Sequence, residues 1–195
     1  FFVHESISER FIAKFLEHAR TIKVGIGSDP GVDMGPLGSK KRISAMHEMI
    51  ADAKSKGAEV ALGGSASEEF SKGYFFQPTV LTNVKSDMVV MTEETFGPVA
   101  PIATFSNLEE VIQMANSTPY GLAGFIFTSD LNSALQIGLR LEVGMVGINN
   151  LTIATAEAPF GGVKSSGFGR EGGAEGIEEF LITKYINARM GRVKL

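Results

Sequence analysis

Short apolar segments alternate with amphipathic helix patterns along most of the chain, and this alternation constrains the fold more than any other feature. Phe1–Val3, Ala58–Leu62, the apolar run ending at Phe105, Leu122–Phe127 and Gly144–Asn149 read as strands. Between the first two, Ile12, Phe15, Leu16 and Ala19 recur at i, i+3, i+4, i+7, and Ile43, Met46, Ile50 and Ala53 share the face of a second helix that ends at Gly57. Later, Leu108, Val111, Ile112 and Ala115 form a third inward face, and Leu131, Ala134, Leu135 and Gly138 a fourth. Parallel strands need crossovers long enough to hold a helix. The pattern therefore predicts an α/β fold with a mostly parallel sheet and helices on both faces. Ser6 with Glu9, and Ser106 with Glu109, read as capping boxes. Ser129 or Asp130 caps the fourth helix. Pro78 marks the extended Tyr74–Val84 segment as an edge or irregular position. A helix around Ala174–Phe180 and a strand in Leu181–Arg189 close the chain.

A net charge of −4 argues against nucleic-acid binding, which needs a basic face. No apolar run approaches the ~18–20 residues of a membrane span, and the first residues lack the basic start and apolar core of a signal peptide. Cysteine is absent, which excludes disulfides, cysteine-ligated zinc and a thiol nucleophile within these 195 residues and suits a cytoplasmic location. His4, His18 and His47 have no ligand spacing, so no metal site is expected.

Six glycines fall within the fifteen residues Pro159–Gly173. Such density is costly in chain entropy and suits tight turns or close backbone approach. Gly167, Gly169 and Gly172 spell the dinucleotide-loop pattern G-x-G-x-x-G. Its surroundings argue against that use: no apolar strand leads into it, and no acidic residue follows at the required distance. Gly25 and Gly27 sit in a loop punctuated by Pro30 and Pro36, which reads as irregular surface. Glu93 and Glu94 precede Phe96 and a Gly-Pro turn. A carboxylate there is suited to accept hydrogen bonds from a ribose diol, with a ring beside it. Taken alone, the residues read more simply as a solvated acidic pair with Phe96 in the core. Glu171, next to Arg170, carries protons if partly buried; otherwise it is half of a surface ion pair.

The pairing of EETFGP at Glu93–Pro98 with PFGGVKSSGFGRE at Pro159–Glu171 resembles the aldehyde dehydrogenase superfamily, and the likeness runs in order along practically the whole chain. Gly144–Asn149 through Phe160 is most similar to the NAD(P)-dependent succinate-semialdehyde dehydrogenases. The resemblance implies a reaction in which a cysteine thiolate attacks an aldehyde, hydride passes to NAD or NADP, and a glutamate base activates water against the thioester. It implies that Glu94 binds the nicotinamide ribose with Phe96 packed beside it. Phe160 lines the aldehyde pocket, and Glu171 matches a proton-relaying glutamate. Thr152, Ile153, Ala154 and Thr155 occupy the substrate-lining loop, where Thr152 or Thr155 bonds a substrate carboxylate. By the same resemblance, residues 1–180 are the carboxyl-terminal portion of the catalytic domain, and 181–195 are an oligomerisation strand and tail of a homo-oligomer. The cysteine, general base and cofactor domain would lie upstream of Phe1, so the chain alone is expected to be inactive. A cysteine-less binding module of the same fold is the alternative.

Overall fold

The computed structural model describes every residue except Ser71, Met190 and 192–195. The chain divides into two compact units, Phe1–Thr118 and Pro119–Leu195. Among the described residues, three of the five strand pairs are parallel, as the alternation predicts.

The first unit contains β1 (Phe2–His4), α1 (Glu5–Ala19), α2 (Lys40–Ser55), β2 (Glu59–Leu62) and β3 (Thr79–Thr82). The one-turn α3 (Val89–Thr92), β4 (Val99–Pro101), β5 (Ala103–Phe105) and α4 (Leu108–Asn116) complete it. β3 lies between an antiparallel β2 and a parallel β4. β4 and β5 are one extended run that changes partner at Ile102, since β5 pairs in parallel with β1. Ile102 N–H still donates to the Leu81 carbonyl at 2.8 Å, which ties the two halves together.

Every residue of β3 is buried. Successive strand side chains point to opposite faces. Val80 accordingly packs with Val3, Ala19 and Ile102 under α1, while Leu81 packs with Met46, Ile50 and Ala53 of α2. One strand thus feeds two cores, which is the physical content of helices on both faces. Burying a side chain such as Leu81 contributes roughly 1.5–3 kcal/mol. Of the edge or irregular position expected from Pro78, the irregular one is found: β3 is central, and Pro78 lies outside it. The proline falls just before the first ladder residue, so its missing N–H costs no ladder bond.

The helix ends correct two expectations. α1 starts before Ser6, because His4 is its cap: His4 Nδ1 accepts from Ser6 N–H at 3.2 Å. α4 is capped by Asn107 rather than Ser106, since Asn107 Oδ1 accepts from the N–H groups of Glu109 and Glu110. α2 ends as predicted at Gly57, with φ +98°. Ala58 N–H donates to Ala53 and Gly57 N–H to Lys54, the paired bonds of a Schellman motif.

The second unit contains β6 (Tyr120–Gly121), β7 (Ala123–Ile126), α5 (Leu131–Arg140), β8 (Met145–Ile148), β9 (Val163–Lys164) and a 3₁₀ helix (Glu175–Phe180). β7 and β8 run parallel with α5 between them, and β6 pairs antiparallel with β9. Asp130 caps α5, accepting from Asn132 N–H and from the Ser133 hydroxyl. Ala134 is fully buried and Gly138 faces Val146 and Ile126, but Leu131 and Leu135 are exposed, contrary to the predicted inward face. The small residues, not the leucines, are what let the helix approach the strands. The strand expected over Leu181–Arg189 does not form within the chain. Those residues make no ladder, and Leu181, Ile182, Tyr185 and Ile186 are exposed; among the described residues no strand pairs with them. The last part of the tail read as 181–195 lies outside the described residues.

Candidate active site

The sequence-predicted residues fall on both units. Glu94 and Phe96 belong to the first; Thr152, Ile153, Ala154, Thr155, Phe160 and Glu171 belong to the second.

In the first unit, α3 and the following turn present Glu93 and Glu94 to solvent. Asp52 of α2 accepts from Val89 N–H at 2.8 Å, and so holds the start of α3. Lys56 pairs with Asp52 at 2.8 Å and donates to the Asp87 carbonyl. The Asp52 carboxyl is held below the usual aspartate range by its hydrogen bond from Lys56 and, next, by the Val89 N–H. Beyond the glutamates, Arg42 Nη2 donates to the Thr95 carbonyl. Gly97 lies on Met46, where a Cβ would stand 2.5 Å from the sulfur.

Phe96 is not a core residue. It is 73% exposed and its backbone has φ +39°, a region that bulky side chains rarely adopt. Strained, exposed positions of this kind concentrate at ligand sites. The loop therefore offers an exposed carboxylate and an uncovered ring on a backbone held from below. This pairing of an acceptor with a ring fits a ribose diol beside a planar ring, because a carboxylate accepts from both hydroxyls and the ring face is apolar.

In the second unit, Phe160 and Glu171 form an isolated antiparallel bridge. Arg170 spans the loop they enclose, with Nη1 donating to the carbonyls of Gly162 (2.9 Å) and Gly169 (2.7 Å). The surface ion pair between Arg170 and Glu171 weighed from the sequence is not formed, because the guanidinium serves the backbone instead. Glu171 is exposed and Phe160 half-buried. Both line a 350 Å³ cleft with Phe168, Glu179 and Phe180.

The loop after β8 approaches the same stretch: Gly173 N–H donates to the Ala156 carbonyl at 2.9 Å. Asn149, at φ +51°, turns the chain out of β8 and exchanges hydrogen bonds with Thr128. Asn150 Oδ1 accepts from Thr152 N–H, an Asx turn. Thr152, Ala154 and Thr155 are exposed. Ile153 is half-buried, close to Gly147 of β8. It therefore supports the loop as well as bordering it.

Gly167, Gly169 and Gly172 all have positive φ, yet the two-residue β9 precedes them and a 3₁₀ helix follows. The α-helical N-terminus that would receive a phosphate is missing from this arrangement. Sequence reasoning missed Arg42, Asp52 and Arg170 as supports. Nothing in their local spacing distinguishes them from solvated charges; only the fold brings each to a loop.

The chain matches the model of the aldehyde dehydrogenase family over residues 1–186. It is 44% identical over 188 residues to the NADP(+) succinate-semialdehyde dehydrogenase 2 of Schizosaccharomyces pombe, covering 96% of this chain and 38% of that protein. It is also 44% identical to the 3-sulfolactaldehyde dehydrogenase of Pseudomonas putida, covering 95% of this chain and 38% of the relative. Among solved structures, an NADP-dependent enzyme of Escherichia coli superposes with TM-score 0.91 at 44% identity, covering 95% of this chain and 38% of that one. The Staphylococcus aureus betaine aldehyde dehydrogenase in complex with NAD+ superposes with TM-score 0.90 at 37% identity, covering 100% of this chain and 40% of that one. The chain thus spans well under half the length of the proteins it matches.

Proposed function

The chain belongs to the aldehyde dehydrogenase family, and on that footing we propose that it forms part of an NAD(P)-dependent enzyme oxidising succinate semialdehyde to the dicarboxylate. The observation that carries this reading is the pair of Glu94, exposed, and Phe96, uncovered at φ +39° on a loop held by α2. In this reading the Glu94 carboxylate accepts hydrogen bonds from the nicotinamide ribose and Phe96 covers the sugar. When bound, the nicotinamide supplies the hydride acceptor.

Phe160 gives the aldehyde an apolar wall. Following the family resemblance, Glu171 hands protons between the site and solvent; it stands exposed at the cleft, not in the partly buried setting that its local residues alone required for that role. Thr152 or Thr155 donates a hydroxyl hydrogen bond to the far carboxylate of the substrate. The names of the relatives support an aldehyde with an anionic tail, since succinate semialdehyde and 3-sulfolactaldehyde both carry one. The thiol that attacks the carbonyl has to come from outside these residues, which contain no cysteine. The exposed apolar residues of 181–189 suit a strand that completes its pairing in a homo-oligomer, and a cytoplasmic location suits an enzyme of this composition. Among the described residues no helix is long and apolar enough to cross a membrane.

The test compares this chain with the protein expressed from its complete reading frame, using a panel of aldehydes with NAD+ and with NADP+. NAD(P)H formation is expected only from the complete protein, with succinate semialdehyde giving the highest kcat/KM. Turnover by the 195 residues alone, or a clear preference for an aldehyde without an anionic tail, would overturn the proposal.

A further inference from the structure

We infer that Arg42 is a positioning residue for cofactor binding: from α2 it fixes the backbone between Glu94 and Phe96 in its ligand-ready form. The inference rests on the ribose-binding reading of Glu94. Three observations meet at this loop. Arg42 Nη2 donates to the carbonyl of Thr95, the residue between the two proposed contacts. One turn further along α2, Met46 fills the space over Gly97, and so holds the far side of the turn. Phe96 keeps a positive φ that its own side chain disfavours, so an outside restraint is needed to maintain it.

Arg42 is itself held in place at a cost. Its Nε is buried without a hydrogen-bond partner. A half-buried arginine serving the core alone would be expected to satisfy that donor. Here the side chain gives it up while its terminal nitrogen reaches the loop. A guanidinium bond to a carbonyl is charge-assisted, and so stronger than a neutral one. The consequence is that α2 sets where the Glu94 carboxylate stands.

The test uses the complete enzyme with the substitutions Arg42→Met, Arg42→Lys and Glu94→Gln. NAD+ and NADP+ dissociation constants are measured by titration calorimetry, and backbone hydrogen exchange is followed over residues 94–99. R42M is expected to raise the dissociation constant of the preferred cofactor about tenfold, the size of one charge-assisted hydrogen bond. It should also speed exchange in the loop and leave the aldehyde KM little changed. R42K, which keeps a single donor, should fall between. A lower melting temperature with unchanged cofactor affinity and unchanged loop exchange would assign Arg42 to stability alone and overturn the inference. If E94Q weakens cofactor binding while R42M does not, the inference about Arg42 fails and the ribose reading stands. If E94Q has no effect, the ribose reading itself fails. Should R42M not fold, R42K decides: unchanged affinity and exchange in that variant overturn the inference.

Discussion

Phe160 and Glu171 exchange both of their backbone hydrogen bonds, Phe160 N–H to Glu171 O at 2.7 Å and Glu171 N–H to Phe160 O at 2.8 Å. This clip closes the glycine-rich loop at its two proposed functional residues, so the position of the ring and of the carboxylate is one geometric fact. Inside the clip, Gly161 and Gly162 serve close packing, while Gly167, with φ +111° and open space around it, serves the turn. Gly144, ahead of β8, has the Gly161 carbonyl 1.9 Å from where its Cβ would stand.

Gly144→Ala should therefore push the loop off the second unit. The expected loss is about 3 kcal/mol, the upper end for overpacking a site whose neighbour is rigid backbone. Urea unfolding of the variant checks it, and an unchanged midpoint would show that the loop is not seated on Gly144.

Arg170 closes the loop from inside through two carbonyls, Gly162 and Gly169. Arg170→Met is expected to cost about 1–3 kcal/mol, since it removes charge-assisted bonds and leaves two part-buried acceptors unpaired. Arg170→Lys keeps the charge but loses the planar fork, so it should recover only part. Trypsin cleavage after Lys164 reports the opening: it should be fastest in R170M.

Asp52 gives the first unit an acid-sensitive joint. Its carboxyl titrates below its ordinary value of 3.8 because of the Lys56 and Val89 hydrogen bonds. A group depressed in the folded state binds fewer protons there than in the unfolded chain. Its contribution is therefore fully present above the unfolded value and is lost as pH falls through the folded one. Denaturation midpoints taken from about pH 5 downward should decline less steeply for Asp52→Asn than for the natural chain. Equal slopes would remove Asp52 from the account of acid unfolding.

The two-sided core was legible because β3 and its helices follow simple periods. Val80 and Leu81 differ by one residue and so must face different helices. The helix ends were less legible. Ser6 and Ser106 each offered a good cap, but His4 and Asn107 won because the chain turns into the helix earlier or later than the box assumes. Leu131 and Leu135 misled for a related reason: apolar periodicity names a stripe, while close packing against β7 and β8 selected Ala134 and Gly138. The site was legible as motifs, since Glu94, Phe96, Phe160 and Glu171 lie in two short runs. Their supports were not, because Arg42 and Arg170 act on carbonyls, and a carbonyl leaves no mark in a sequence.

Phe96 offers the sharpest separation of stability from function. Phe96→Gly relieves a left-handed backbone that costs an L-residue roughly 1–2 kcal/mol. Part of that gain is returned through the greater freedom of glycine in the unfolded chain. The exposed ring gives up little packing, so a net stabilisation of about 1 kcal/mol is expected, or a few degrees in melting temperature. The same change removes the face proposed to cover the ribose, so NAD(P)+ affinity should fall in the complete enzyme. Calorimetric melting and cofactor titration on one preparation check both halves. A variant that melts lower would mean the ring packs against the protein. A variant that melts higher with full cofactor affinity would show that the strain at Phe96 serves some purpose other than the cofactor.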